Sequence, residues 1–152
     1  MLGGLIRNFF SFIGYNMDPE KFERTVAHGI AEAVAMEEEA DAALLVPACP
    51  ICHQSVGLIQ RSIEARGIPT VSVTVARDVT EKIKAPRAIF LQWPMGHHFG
   101  VPFHRDLQKR VLVEALDLLE TAQLSGTIRD IPIKWADVRR EAKTLSEQGH
   151  RL

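Results

Sequence analysis

The chain has 152 residues, of which 46% are hydrophobic and 24% charged, with a formal net charge of −1. That length suits one domain with a core of its own. A charge so near neutral excludes a global electrostatic draw toward nucleic acid or an anionic membrane.

No apolar run approaches the ~20 residues of a membrane helix. The first fifteen residues are apolar but interrupted by Arg7 and Asn8. They lack the basic start and small-residue cleavage site of a signal peptide, so a cytoplasmic protein is expected. Residues 5–15 are rich in aromatics, and Phe9, Phe10, Phe12 and Tyr15 read as core or interface anchors. Asp18-Pro19 opens a helix: aspartate caps, and proline suits a first helical position that needs no N–H. Phe22, Val26, Ile30, Ala33 and Val34 form its apolar stripe. Glu37-Glu38-Glu39 is its solvated end.

Residues 42–46 are a short apolar run ending at Pro47, as expected of a buried parallel strand. Cys49-Pro50-Ile51-Cys52-His53 follows at once. A helical pattern then runs through Val56, Leu58, Ile59 and Ile63 to a stop at Arg66-Gly67. Residues 70–75 are rich in β-branched side chains and make a second strand. Asp78 and Glu81 have the spacing of a cap for one or two helical turns. Residues 87–93 are a third strand, followed by the loop Pro94-Met95-Gly96-His97-His98-Phe99-Gly100-Val101-Pro102. Residues 106–123 are the strongest helix, with Leu107, Val111, Leu112, Ala115, Leu116 and Leu119 on one side. Residues 127–135 alternate and suit an edge strand or extended arm.

The expected fold is a small three-layer α/β domain. Its sheet is mostly parallel, with three to four strands, Rossmann- or flavodoxin-like, and its crossovers are right-handed. Residues 1–135 form this domain and 136–152 a polar helical tail. A sheet so thin leaves broad surfaces free, so a homo-oligomer is expected.

Both cysteines of the chain stand three residues apart, at the carboxyl end of a strand and the amino end of a helix. Open α/β sheets bind ligands there. Helix N–H groups and the helix dipole stabilise a thiolate at that place. Cys49 reads as the nucleophile and Cys52 as the thiol that resolves its adduct. The loop after the third strand can face the motif across a cleft, which makes His97 a candidate acid or base. His53, Pro94, Gly96 and His98 are candidate binding residues. Adjacent His97 and His98 cannot both face the site. His104 belongs to the start of the long helix. His28 and His150 look incidental.

Three other chemistries compete. Cys49, Cys52 and His53 are soft ligands that suit zinc, as a metal-binding module. Cys-x-x-Cys-His is also the literal pattern of covalent haem attachment. Two buried structural cysteines in an interaction subunit are the third. Cys-Pro-x-Cys also resembles glutaredoxin, but Pro69 comes only one helix after Cys52, where the thioredoxin fold inserts a further strand and helix.

With both loops in view, the chain resembles the selenoprotein B subunits of glycine, sarcosine and betaine reductases and the selenoprotein subunit of D-proline reductase. Four stretches carry the resemblance: Phe9-Phe10-Ser11-Phe12-Ile13-Gly14-Tyr15, residues 44–57, Gly67-Ile68-Pro69-Thr70-Val71, and Pro94-Met95-Gly96-His97 with Gly100 and Pro102. Cys49 matches the position that carries selenocysteine in that family, and Cys52 its partner, so this is a cysteine-containing homologue. The resemblance implies an oxidoreductase that reductively cleaves an amino-acid C–N bond with a dithiol/disulfide couple. It implies a small-molecule amine or disulfide as substrate and a thioredoxin-like reductant. It also implies a pyruvoyl group supplied by a partner subunit, with no cofactor intrinsic to this chain.

Overall fold

The structure is a computed structural model and describes residues 4, 8–37 and 40–147. Leu5, Glu38, Glu39 and the last five residues, His150 included, lie outside that set. Helix α1 (Pro19–Phe22) starts where the sequence placed it, with the Asp18 carboxylate accepting the Lys21 N–H at 2.9 Å. It continues through a π turn (Glu23–Ala27) into α2 (His28–Ala35). Then come β1 (Ala43–Leu45), α3 (Pro50–Glu64), β2 (Thr70–Thr74), α4 (Arg77–Lys82), β3 (Arg87–Phe90), α5 (Arg105–Thr121), β4 (Thr127–Asp130) and α6 (Trp135–Glu147). Helix α4 has no side-chain cap; Ala76 occupies that position and Asp78 sits inside the first turn.

All four strands are parallel, in the order β1-β2-β3-β4. The three-layer α/β expectation is met. The strand order, however, runs straight across the sheet, without the reversal that creates the switch point of Rossmann and flavodoxin sheets.

Strand alternation assigns the two faces. Thr70, Ser72 and Thr74 look toward α3 and α4: the Thr70 hydroxyl accepts from Gln60 of α3 at 3.1 Å, and Thr74 pairs with Thr80 of α4 at 2.7 Å. Val71, Val73 and Ile89 look the other way and pack with Leu107, Val111, Ala115 and Leu118 of α5. The register agrees. Asp130, paired with Phe90, reaches Arg77 of α4, whereas Arg129, paired with Ile89, reaches Asp117 of α5. The chain steps across the sheet in one direction, so crossovers lying on opposite faces have opposite hands. The connection through α5 therefore differs in hand from those through α3 and α4, and the expectation of uniformly right-handed crossovers is corrected.

One core lies between the sheet and α5 and takes in Trp93, Ile131 and Val138. Val138 is buried on α6, so the polar tail contributes a core residue. A second core joins Phe22, Ala27, Ala31 and Val34 to Leu45, Val56, Ile59 and Ile63. Gly57 lets α4 approach α3: a Cβ there would lie 2.3 Å from Ile83 Cγ2. Phe12 packs on the second core, but Phe9 and Tyr15 are exposed and Phe10 is only partly covered.

At the sheet edge opposite the cysteines, Glu64 binds Arg87 and accepts both the Thr70 N–H at 2.9 Å and its hydroxyl at 2.8 Å. The pair is about four-fifths covered. Removing Glu64 leaves the largely covered Arg87 charge without its carboxylate and the Thr70 N–H unpaired. Glu64→Ala is expected to lower stability by about 2–4 kcal/mol, read from the urea midpoint. A loss under about 0.5 kcal/mol, the size of an ordinary surface change, would show that the pair does not hold α3 to the sheet.

Candidate functional site

The motif sits where β1 gives way to α3. Cys49 is the N-cap residue, with extended backbone (φ −141°, ψ 167°), and Pro50 occupies the first helical position. A cap side chain normally offers oxygen to the free N–H groups of the first turn. Here sulfur does so: Cys49 Sγ accepts the Cys52 N–H at 3.2 Å. No acidic residue stands in that first turn to oppose a developing negative charge. Cys49 and Cys52 are joined as a disulfide, with Cα atoms 5.0 Å apart. On reduction, the same N–H and the helix end favour the Cys49 thiolate.

The aromatic arm crosses this motif. Gly14 is buried against Cys52, and a Cβ on it would lie 2.8 Å from Cys52 Sγ and 3.0 Å from Cys52 Cα. Its carbonyl accepts the Ser55 hydroxyl at 2.5 Å, and Asn16 Nδ2 donates to Ser55 Oγ at 2.8 Å. Gly14, Asn16 and Ser55 were not foreseen as site residues. Gly14 and Ser55 do lie in stretches that carry the resemblance, and Gly14 interrupts an aromatic run.

The two buried imidazoles form a chain behind the motif. His53 is 2% exposed and His98 5% exposed. His53 Nδ1 meets the Cys49 carbonyl at 2.7 Å, so it carries the proton and donates. His53 Nε2 then accepts from the Val75 N–H at 3.4 Å and faces His98 Nε2, also at 3.4 Å. A neutral His53 satisfies this arrangement, donating through Nδ1 and accepting through Nε2, with His98 as a donor to it. Burial pushes the His53 pKa down. Burial, with the neighbouring His53 and His97, pushes His98 down to about 4.

His97 is turned differently: Nδ1 meets the Gly100 carbonyl at 3.1 Å, and its ring packs on Trp135 at 4.6 Å. The two rings take different partners, and His98 is the one that reaches the motif helix, although both line the same cleft. Pro94 and Gly96 shape the loop. His97 N–H closes a turn on the Pro94 carbonyl at 3.2 Å, and Gly96 has φ +88°, which that turn demands. Gly100 has φ +86°, and a Cβ on it would lie 2.4 Å from Leu107 Cδ2. His104 caps α5. An open cleft of about 490 Å³ runs between Val46, Pro47 and Ala48 on one side and residues 96–102 on the other, with His97 and His98 in its wall. It reaches the peptide just before Cys49.

The metal set Cys49, Cys52 and His53 is not assembled, because both His53 nitrogens are engaged by backbone groups. The same engagement removes His53 as an axial haem ligand. Among the described residues, no group of three or more His, Cys, Asp or Glu side chains is placed to hold a metal ion. Among the same residues, no helix is long and apolar enough to cross a membrane.

Neutral buried histidines set a direction for the pH dependence of stability. The unfolded chain protonates them near pH 6.5; the folded chain resists until a lower pH, about 4 for His98. Their contribution is intact above the unfolded value and is lost as pH falls through this window. The slope is at most about 1.4 kcal/mol per pH unit for each group. His98→Leu is expected to flatten the fall in urea midpoint between pH 7 and pH 5. An unchanged slope would place the pH dependence elsewhere.

No family model matches the chain, and no solved structure matches it. The chain is 32% identical over 124 residues to D-proline reductase subunit gamma of Acetoanaerobium sticklandii. The similarity covers 82% of this chain and 51% of that protein, so the chain spans about half the length of the curated relative it matches. A stretch of that length must contain Cys49 and Cys52. The chain is therefore related, over most of its own length, to a D-proline reductase subunit.

Proposed function

We propose that the chain is the dithiol-bearing part of an amino-acid reductase of the D-proline reductase kind, a thiol-dependent oxidoreductase that works with partner subunits. The observation that carries this reading is the Cys49–Cys52 pair capping α3 within the stretch shared with the reductase subunit. The disulfide corresponds to the oxidised half of the couple.

The proposed reaction begins with the reduced pair. The Cys49 thiolate attacks the α-carbon of the amine substrate. The carbon–nitrogen bond breaks, and the departing nitrogen takes a proton, for which the half-buried His97 in the cleft wall is the assigned donor. The Cys52 thiolate then attacks Cys49 Sγ. The sulfur–carbon bond breaks, the α-carbon takes a proton, and the disulfide forms. The substrate gains two electrons, and a thioredoxin-like dithiol returns two to the pair. A pyruvoyl group on a partner subunit would supply the activation of the nitrogen. In this chain, His53, backed by His98, holds the Cys49 carbonyl in place, and Cys52 N–H lowers the energy of the attacking thiolate. Pro94 and Gly96 set the loop that forms the far wall of the cleft.

The test is turnover of D-proline by the assembled complex with dithiothreitol as electron source. Cys49→Ser is expected to abolish formation of the ring-opened amino acid. Cys52→Ser is expected to stop after one event, with the substrate mass added to Cys49. Normal multiple turnover by Cys52→Ser would remove Cys52 from the resolving role. No turnover by any combination of the chain with a pyruvoyl-bearing subunit would sink the reading.

A further inference from the structure

A dithiol that reduces a substrate and is itself reduced by an external thiol needs two unlike cysteines. One must meet the outside and one must stay within. With the whole chain in place both are half-buried, so overall burial does not separate them, and the difference lies in what covers each sulfur. Resting on the reductase reading, we propose that residues 12–16 are a shield that shelters Cys52 and confines thiol–disulfide exchange to Cys49.

Three observations carry the proposal. First, burial alternates along the arm. Phe12, Gly14 and Asn16 face inward, while Ile13, Tyr15 and Met17 are 85%, 61% and 81% exposed. Second, the inward residue at the centre lies on one cysteine: the three atoms nearest to a Cβ on Gly14 all belong to Cys52. Any larger residue at position 14 would push the arm off that sulfur. Third, the arm is tied down on both sides of Gly14. The fully buried Ser55 donates to the Gly14 carbonyl and receives Asn16 Nδ2, and Phe12 packs on Phe22 with ring centres 6.5 Å apart. Cys49, in contrast, stands between exposed Ala48 and exposed Pro50.

The exchange then has one direction. An external dithiol attacks Cys49 Sγ as a thiolate. The Cys49–Cys52 bond breaks, and Cys52 leaves as a thiolate that takes its proton from water. The second external thiol attacks its own sulfur of the mixed disulfide and releases the Cys49 thiolate. The external dithiol has lost two electrons and the pair has gained them. Gly14, Asn16 and Ser55 act as positioning residues; none touches the substrate.

The test is the rate of alkylation of each cysteine in the fully reduced chain by N-ethylmaleimide. The rates are read by peptide mass spectrometry across a pH series, so that the thiolate fraction is separated from access. At equal thiolate fraction, Cys52 is expected to label roughly tenfold or more slower than Cys49. In Ser55→Ala/Asn16→Ala, the Cys52 rate is expected to rise about tenfold while Cys49 stays within about twofold. Phe12→Ala, which loosens the arm without changing any residue of α3, should give the same rise. Equal labelling of the two cysteines in the unmodified chain overturns the shield, as does an unchanged Cys52 rate in both variants. The readout needs no substrate. A chain that never turns over D-proline sinks the reductase reading and still shows the contrast; a chain that turns over with equally labelled cysteines sinks the shield alone.

Discussion

The peptide at Cys49 is the constraint on which the rest of the site depends. Pro50 fixes the backbone direction after it, its sulfur receives the Cys52 N–H, and its carbonyl receives the His53 ring. Each contact comes from the first turn of α3, so helix and motif cannot move independently. That helix is in turn seated on the sheet by Gln60, which donates to Thr70 and to the Arg87 carbonyl, and by the Glu64–Arg87 pair. Reactivity at one edge of the sheet is therefore anchored by a polar network at the other.

The choice of hydroxyls on β2 fits this arrangement. Thr70, Ser72 and Thr74 are buried, and each hydroxyl finds a partner: Gln60 of α3, the Arg87 carbonyl of β3 and Thr80 of α4. Buried polar groups that are satisfied specify one register, where an all-apolar face would tolerate sliding. The opposite face, with Val71, Val73 and Ile89 against α5, supplies the non-directional burial. On β2, one face thus fixes position through its hydroxyls and the other packs apolar side chains on α5.

Much of this was legible in the sequence. The strand, the two-cysteine turn and the helix were readable because a β-branched or apolar run, a proline and a glycine stop follow each other in local order. Asp18-Pro19 and His104 announced their helices for the same reason, since capping acts within one turn. Adjacency suggested that only one of His97 and His98 faces the site; both line the cleft, and burial against His53, forty-five residues earlier, decides which reaches the motif helix. The hand of the α5 crossover had no local sign, because it depends on which sheet face an amphipathic helix happens to cover. The arm was legible only in part. Its aromatics suggested core or interface anchors, yet its tightest contacts are made by a glycine and an asparagine, through groups that sit near Cys52 and Ser55 only after folding.

The alternation within the arm has a consequence for how the chain can vary. Inward and outward positions succeed each other one residue at a time from Phe12 to Met17. Insertion or deletion of a single residue between Phe12 and Gly14 would exchange the two sets. It would drive Ile13 or Tyr15 toward Cys52, where not even a methyl group fits, and turn the small residues to solvent. Substitutions at the outward positions leave that frame intact. The segment can therefore drift in the identity of its exposed side chains while its length stays fixed.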